Sequence, residues 1–185
     1  MSVRPRCRSI GNNVRSRLPV LIALLAIVAA GTWYYLSHRP RTAGGTLTVY
    51  YTKLDGTTLG NLSVSLRPPQ NGESSAEHLR NTVLYAAVEA LAGPPSQVDA
   101  IRFPAGTRVL DAGVNGSAAT VDLSKDVERQ PGGSFAEIGE FKALIYTITG
   151  VPGIEAVQIK IDGATLPTLP GGHLELDTPL SRSDF

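Results

Sequence analysis

The sequence predicts an α+β protein: a two-layer sandwich in which a mostly antiparallel sheet of five or six strands carries two helices on one face, preceded by one transmembrane helix. Three observations predict it. Several segments alternate apolar and polar residues at strand period, each leaving one apolar face to cover. Two longer segments carry one apolar stripe each and open on an S-x-x-E pattern that caps a helix. The run "LPVLIALLAIVAAGTWYYL", residues 18–36, holds no charge and matches the ~20 apolar residues that span a bilayer.

Taken in order, residues 1–17 form a basic tail with Arg4, Arg6, Arg8, Arg15 and Arg17, and no acid precedes Asp55. Few cations follow the apolar run, so the positive-inside rule places the N-terminus in the cytoplasm and the rest outside. Trp33, Tyr34 and Tyr35 fit an interfacial aromatic belt. The competing reading is a signal peptide cut in "VAAG" after Ala30, which would release the protein. Cys7 is the single cysteine and lies before the apolar run, so lipid attachment is not expected there and the outer part has no disulfide. Residues 37–45 read as a linker and 46–182 as one domain. The chain has 185 residues, 42% hydrophobic and 18% charged, with net charge +1. That balance is globular and offers no field for nucleic acid.

"TLTVYYTK" sets Leu47, Val49 and Tyr51 against Thr48, Tyr50 and Thr52, and "NLSVSLR" sets Leu62, Val64 and Leu66 against Ser63 and Ser65. Both are strand patterns. A helix follows "PPQNGE", with Ser74 and Glu77 as its capping box and Leu79, Val83, Leu84, Ala87, Val88 and Leu91 as its stripe. Gly93 supplies a left-handed stop and Pro94–Pro95 forbid continuation. Asn115–Gly116 predicts a type I′ hairpin, pairing Val114 with Ser117, Ala112 with Ala119 and Leu110 with Val121, with Asp111, Thr120 and Asp122 on the opposite face. A second helix is expected from about Phe135 to Thr149, capped by Ser134 and Glu137, with Ile138, Phe141, Leu144, Ile145 and Ile148 inward. "IEAVQIKIDG" is the clearest strand, and "HLELD", His173–Asp177, a last short edge.

The stretch "TVDLSKDVERQPGGSFAE", residues 120–137, concentrates the residues that could do chemistry. Ser124 has Lys125 only as a sequence neighbour, and adjacent side chains of an extended chain point apart. Neither His78 nor His173 falls in a hydrolase motif, and no G-x-S-x-G, S-x-x-K or H-E-x-x-H occurs. Asp111 with Asp122 is a carboxylate pair on a solvated face. His173, Glu175 and Asp177 share one side if extended, which is too few ligand types for a metal without a further His or Cys. No catalytic residue, cofactor or metal is expected.

In order along the chain, "LTVYYTK", "ALAGPP", "PAGTRVLDAGV", "ATVDLS", "PGGSFAE", "YTITG" and "VQIKIDG" resemble the GerMN domain of bacterial sporulation and germination proteins, over about Thr46 to Arg182. The chain departs from the pattern at Ile148, where leucine is commoner, and at Val127, where an aromatic often stands. The resemblance implies a single-copy, non-catalytic α/β module held outside a membrane and active in cell-envelope assembly. The expected interaction surface is the uncovered sheet face: Thr48, Tyr50, Thr52, Ser63, Ser65, Asp111, Thr120, Asp122, Gln158 and Lys160. Expected partners are the membrane through residues 18–36, envelope proteins or a second copy, and peptidoglycan as the alternative, with Tyr50 as a stacking platform.

Overall fold

The computed structural model describes residues 25–33, 45–129, 132–170 and 172–185. Residues 25–33 are helical (α1). The rest of the 18–36 run, the basic tail and residues 37–44 lie outside the described residues, and among those described no helix is long and apolar enough to cross a membrane. Residues 43–185 form a compact unit of their own.

That unit contains two sheets where the alternation predicts one. β1 (Thr46–Thr52) and β2 (Leu59–Ser65) form an antiparallel pair, and β3 (Val109–Asn115), β4 (Ala118–Leu123) and β5 (Ala156–Ile161) form the other sheet in that order. β3 and β4 are antiparallel, while β4 and β5 are parallel, because a helix lies between them in the chain. The helices are α2 (Ser75–Ala92) and α3 (Gly133–Ile148). α2 packs on β3, α3 packs on β1, and the helices touch each other. The core joins Leu47 and Val49 of β1, Val83 and Ala87 of α2, Val121 and Leu123 of β4, Phe141, Leu144, Ile145 and Ile148 of α3, and Val157, Ile159 and Ile161 of β5.

The sheet stops at β1 because a helix takes the place of the next strand. In the antiparallel ladder the Lys53 N–H bonds the Thr58 carbonyl at 2.9 Å and the Leu66 N–H bonds the Gly45 carbonyl at 2.7 Å. Odd-numbered residues of β1 therefore bond β2, and the backbone groups of Tyr50 and Thr52 point away from it. The Tyr50 N–H donates to the Thr147 hydroxyl of α3 at 2.9 Å. The Thr52 carbonyl accepts from the Ile101 N–H at 2.9 Å. The Thr52 hydroxyl donates to the Gly139 carbonyl at 2.7 Å.

The predicted capping box at the start of α2 is present: Glu77 N–H bonds the Ser74 hydroxyl at 3.2 Å, and Ser74 N–H bonds the Glu77 carboxylate at 2.9 Å. Gly93 ends the helix with φ of 65°, but its ψ of −168° is extended. The equivalent box at α3 does not form. α3 begins at Gly133 with no side-chain cap, and Glu137 is fully buried, its carboxylate accepting the His173 backbone N–H at 3.0 Å. α3 is buried on most of its circumference, Gly139, Ala143 and Thr147 included, whereas Ile138 is exposed. The hairpin register is also shifted. Asn115 pairs with Ala118, Val114 with Ala119 and Ala112 with Val121, so Gly116 and Ser117 are the central residues. Gly116 alone has positive φ there, at 62°, the requirement of a II′ turn with glycine first. An irregularity between Val109 and Asp111 turns Leu110 to solvent. His173–Asp177 is not a strand; instead Leu180 bridges Val157 antiparallel along β5.

Candidate interaction surface

The residues expected on one open face fall into two groups. Thr48, Tyr50, Ser63 and Ser65 lie on the polar side of the β1–β2 pair, where Thr48 stands opposite Ser63 and Tyr50 opposite Asn61. Thr52 does not belong with them. It is fully buried against α3, because the helix flanks β1 and covers its end. Tyr50 is half-buried: its ring meets Tyr146 edge to face at 5.7 Å, and the Arg182 guanidinium lies 5.7 Å from its centroid. Arg182 is fixed there by bonds to the Tyr146 carbonyl at 2.9 Å and the Thr149 hydroxyl at 2.8 Å.

The second group lies on the three-stranded sheet. Asp111 stands directly opposite Asp122, and Lys160 stands beside Asp122 on the parallel strand. With Thr120, Gly113 and Gly163 they line a shallow depression of about 140 Å³. Asp111 pairs with Arg80 of α2, and Asp122 accepts the Gly163 N–H at 2.9 Å. Each carboxylate thus has its own partner. The Gln158 amide donates to the Leu176 carbonyl at 2.7 Å, so it holds the C-terminal segment in place.

Of the residues weighed for catalysis, Ser124, Lys125 and His78 are held by contacts within the fold. The Ser124 hydroxyl accepts the Arg108 N–H at 3.1 Å and contacts Asp126 at 3.3 Å, fastening the loop after β4. Lys125 N–H meets Asp162 at 3.3 Å. His78 pairs with Glu73 at 3.2 Å, and Glu73 also accepts from Asn81, Gln70 and Arg67. The Gln70 backbone bond, then the Asn81, His78 and Arg67 contacts, lower the Glu73 pKa to about 2. Ser134 is half-buried and caps nothing. His173, Glu175 and Asp177 are exposed at alternate positions around buried Leu176. Among the described residues no three His, Cys, Asp or Glu converge as metal ligands.

Three features escaped the sequence reading. One is the sealing of β1 by Thr147. Another is Glu137, whose Oε1 is buried with no hydrogen-bond partner among the described residues; a threonine and a glutamate at helical positions carry no mark of either role. The third is a cleft of about 450 Å³ beside the end of β2, lined by Ser65, Leu66, Arg67, His78, Asn81 and Tyr85.

The Germane family profile, described as sporulation and spore germination, matches residues 48–167. Among solved structures, a candidate lipoprotein from Clostridium perfringens is 19% identical with a TM-score of 0.52, covering 76% of this chain and 89% of that one. The tandem GerMN domains of the Bacillus subtilis sporulation protein GerM are 18% identical with a TM-score of 0.52, covering 79% of this chain and 48% of that one. These likenesses concern the fold. No curated protein matches the chain.

Proposed function

The chain belongs to the Germane family, and we propose that it is a non-catalytic module of the bacterial envelope, anchored through residues 18–36 with residues 46–182 outside, that acts by binding other proteins. One observation carries the reading. On the polar sides of both sheets Thr48, Ser63, Ser65, Thr120, Asp122 and Lys160 stay at least partly exposed, while Ser124, Asp126 and Glu137 between β4 and α3 are engaged in fastening the fold. Short polar side chains on such a surface suit adaptable hydrogen bonding with a partner. The relative described as a lipoprotein supports an envelope setting. A glycan-binding role would use Tyr50 as a stacking platform, and its ring is already flanked by Tyr146 and Arg182. The test is crosslinking in intact cells followed by mass spectrometry, with the tagged chain tracked through membrane and secreted fractions. Recovery of an envelope protein, lost when Ser63 and Asp122 are replaced by lysine, is expected. Sedimentation with purified cell wall and no protein crosslink would refute the reading.

A further inference from the structure

The lateral edges of the two sheets are treated unequally. β1 is sealed by α3 through Thr147. β5 is covered by Leu180, which exchanges backbone bonds of 2.8 and 2.9 Å with Val157. β3 carries an irregularity at Leu110 and the charge of Asp111, tied to Arg80. Bulges, charges and covering segments are the usual means of blocking strand addition. β2 has none of them among the described residues. "LGNLSVS" contains no charge and no proline, and its register against β1 runs without a shift.

The ladder fixes which groups are open. Gly60, Leu62 and Val64 bond β1, so the N–H and C=O groups of Leu59, Asn61, Ser63 and Ser65 point outward. Asn61, Ser63 and Ser65 are exposed, and Leu62, Val64 and Leu66 remain half-buried on the helix side. We infer that the outer edge of β2 pairs with β2 of a second copy of this chain, antiparallel about a two-fold axis at Leu62, merging two sheets into one.

The register follows from full overlap. Leu62 meets the partner's Leu62, Asn61 meets the partner's Ser63, and Val64 lies across the partner's Gly60, over which the partner's own Tyr51 ring is packed. An isologous contact demands that the strand tolerate itself, and a strand without charge does. Charge complementarity appears at its ends: the antiparallel arrangement brings Arg67, which also bonds Glu73 at 2.8 Å, towards the partner's turn before β2 that carries Asp55. The Asp55 pKa is lowered to about 2, chiefly by hydrogen bonds from Thr58 and Thr57, so the carboxylate is ionised whenever the chain is folded near neutral pH. Arg67 is 46% exposed on its side chain. The added strand also lies along half-buried Leu62, Val64 and Leu66, beside the cleft at Tyr85.

The inference rests on the protein-binding reading and names one partner for it. The test uses the full chain in detergent with Cys7→Ser. Across a two-fold at Leu62 the two Cα atoms sit about 4.5 Å apart, within the range a disulfide spans; Ser65 and its counterpart are roughly 20 Å apart at strand rise. Leu62→Cys should form a disulfide dimer under mild oxidation, and the more exposed Ser65→Cys should form at least tenfold less. The double variant Asn61→Cys/Ser63→Cys places its cysteines at exposed positions opposite each other and gives the same result if Leu62→Cys fails to fold. Ser63→Pro removes only an outward N–H and should raise the dimer dissociation constant at least tenfold in sedimentation, with unchanged thermal unfolding of the monomer. Equal crosslinking at positions 62 and 65, an unaffected Ser63→Pro dimer, or a monomer throughout overturns the inference. A monomer that still crosslinks to a different envelope protein in cells overturns it while leaving the binding reading intact.

Discussion

Gly139 offers a test in which two effects of similar size oppose each other. It lies inside α3, where glycine costs about 1 kcal/mol relative to alanine. By propensity alone Gly139→Ala would stabilise the protein. The packing says otherwise. A Cβ at Gly139 would sit 2.6 Å from Ile101 Cδ1 and 3.4 Å from both Ile101 Cγ2 and Thr52 Cγ2. The first distance is a clash, and overpacking of this kind costs about 1–3 kcal/mol. Displacing Ile101, whose N–H bonds the Thr52 carbonyl at 2.9 Å, would also strain the 2.7 Å bond from the Thr52 hydroxyl to the Gly139 carbonyl, a contact worth about 1 kcal/mol. The expected net effect is a loss of about 1–3 kcal/mol. Ile101→Val removes Cδ1 and by itself costs about 1 kcal/mol. In that background the Gly139→Ala loss should shrink towards zero, a coupling of about 2 kcal/mol between sites in contact. Urea unfolding of the four proteins, followed by circular dichroism, measures it. Stabilisation by Gly139→Ala in the parent, or an equal loss in both backgrounds, refutes the claim that glycine is there to let Ile101 approach the helix.

Thr147→Val keeps the shape of a fully buried side chain but strands the Tyr50 N–H; a loss of about 1–3 kcal/mol is expected, with faster hydrogen exchange at the Tyr50 amide. Glu73 has a folded pKa of about 2 against an ordinary 4.5. A depressed carboxylate contributes its full stability above the unfolded value and loses it as pH falls through the folded one, so the melting temperature should drop between about pH 4.5 and 2, and Glu73→Gln should flatten that slope while lowering stability at pH 7. Arg182→Ala removes bonds to Tyr146 and Thr149 and the stacking over two tyrosines; about 1 kcal/mol should be lost in urea unfolding, and lysine should restore less than half, since it lacks the planar fork.

Local chemistry was legible and tertiary competition was not. Ser74–Glu77 and Ser134–Glu137 are the same motif, and only the first caps a helix. The difference lies in residues far along the chain. Ser74 and Glu77 stay exposed, whereas Glu137 is drawn inward against Gly172 and His173, where the His173 N–H needs an acceptor. A Cβ on Gly172 would lie 2.4 Å from Glu137 Oε1, so the close approach of chain and carboxylate depends on a glycine. The hairpin failed for another reason. "VNGS" contains both an Asn-Gly centre and a Gly-Ser centre, each compatible with a tight turn, and sequence alone does not choose between registers two residues apart. The strand faces were read correctly where one side is covered, as at Val121, Leu123, Ile159 and Ile161. They were misread at Thr52, where the covering element arrives from the edge. Polar alternation shows which side of a strand faces solvent, and it holds no information about a helix that comes in laterally.

The same lateral geometry gives the open β2 edge its weight. Sealing β1 takes a buried hydroxyl at Thr147, placed on the helix one turn after Ala143, whose carbonyl it also bonds at 2.8 Å. A threonine inside a helix is less favourable than alanine by a few tenths of a kcal/mol, so the chain accepts a local cost to close that edge. β5 is closed by a segment ending at Leu180 that has to travel from Ile161 through Leu169 and Leu176. β3 gives up a regular register at Leu110. Each closure requires specific residues. On β2 a single lysine or proline would have the same effect, and positions 61, 63 and 65 are exposed enough to take either without disturbing the pairing to β1. An edge so simply blocked, left uncharged between sheets blocked by costlier means, is a feature of this surface in its own right, and it lies next to the polar side chains of Asn61, Ser63 and Thr48 on the face proposed to bind.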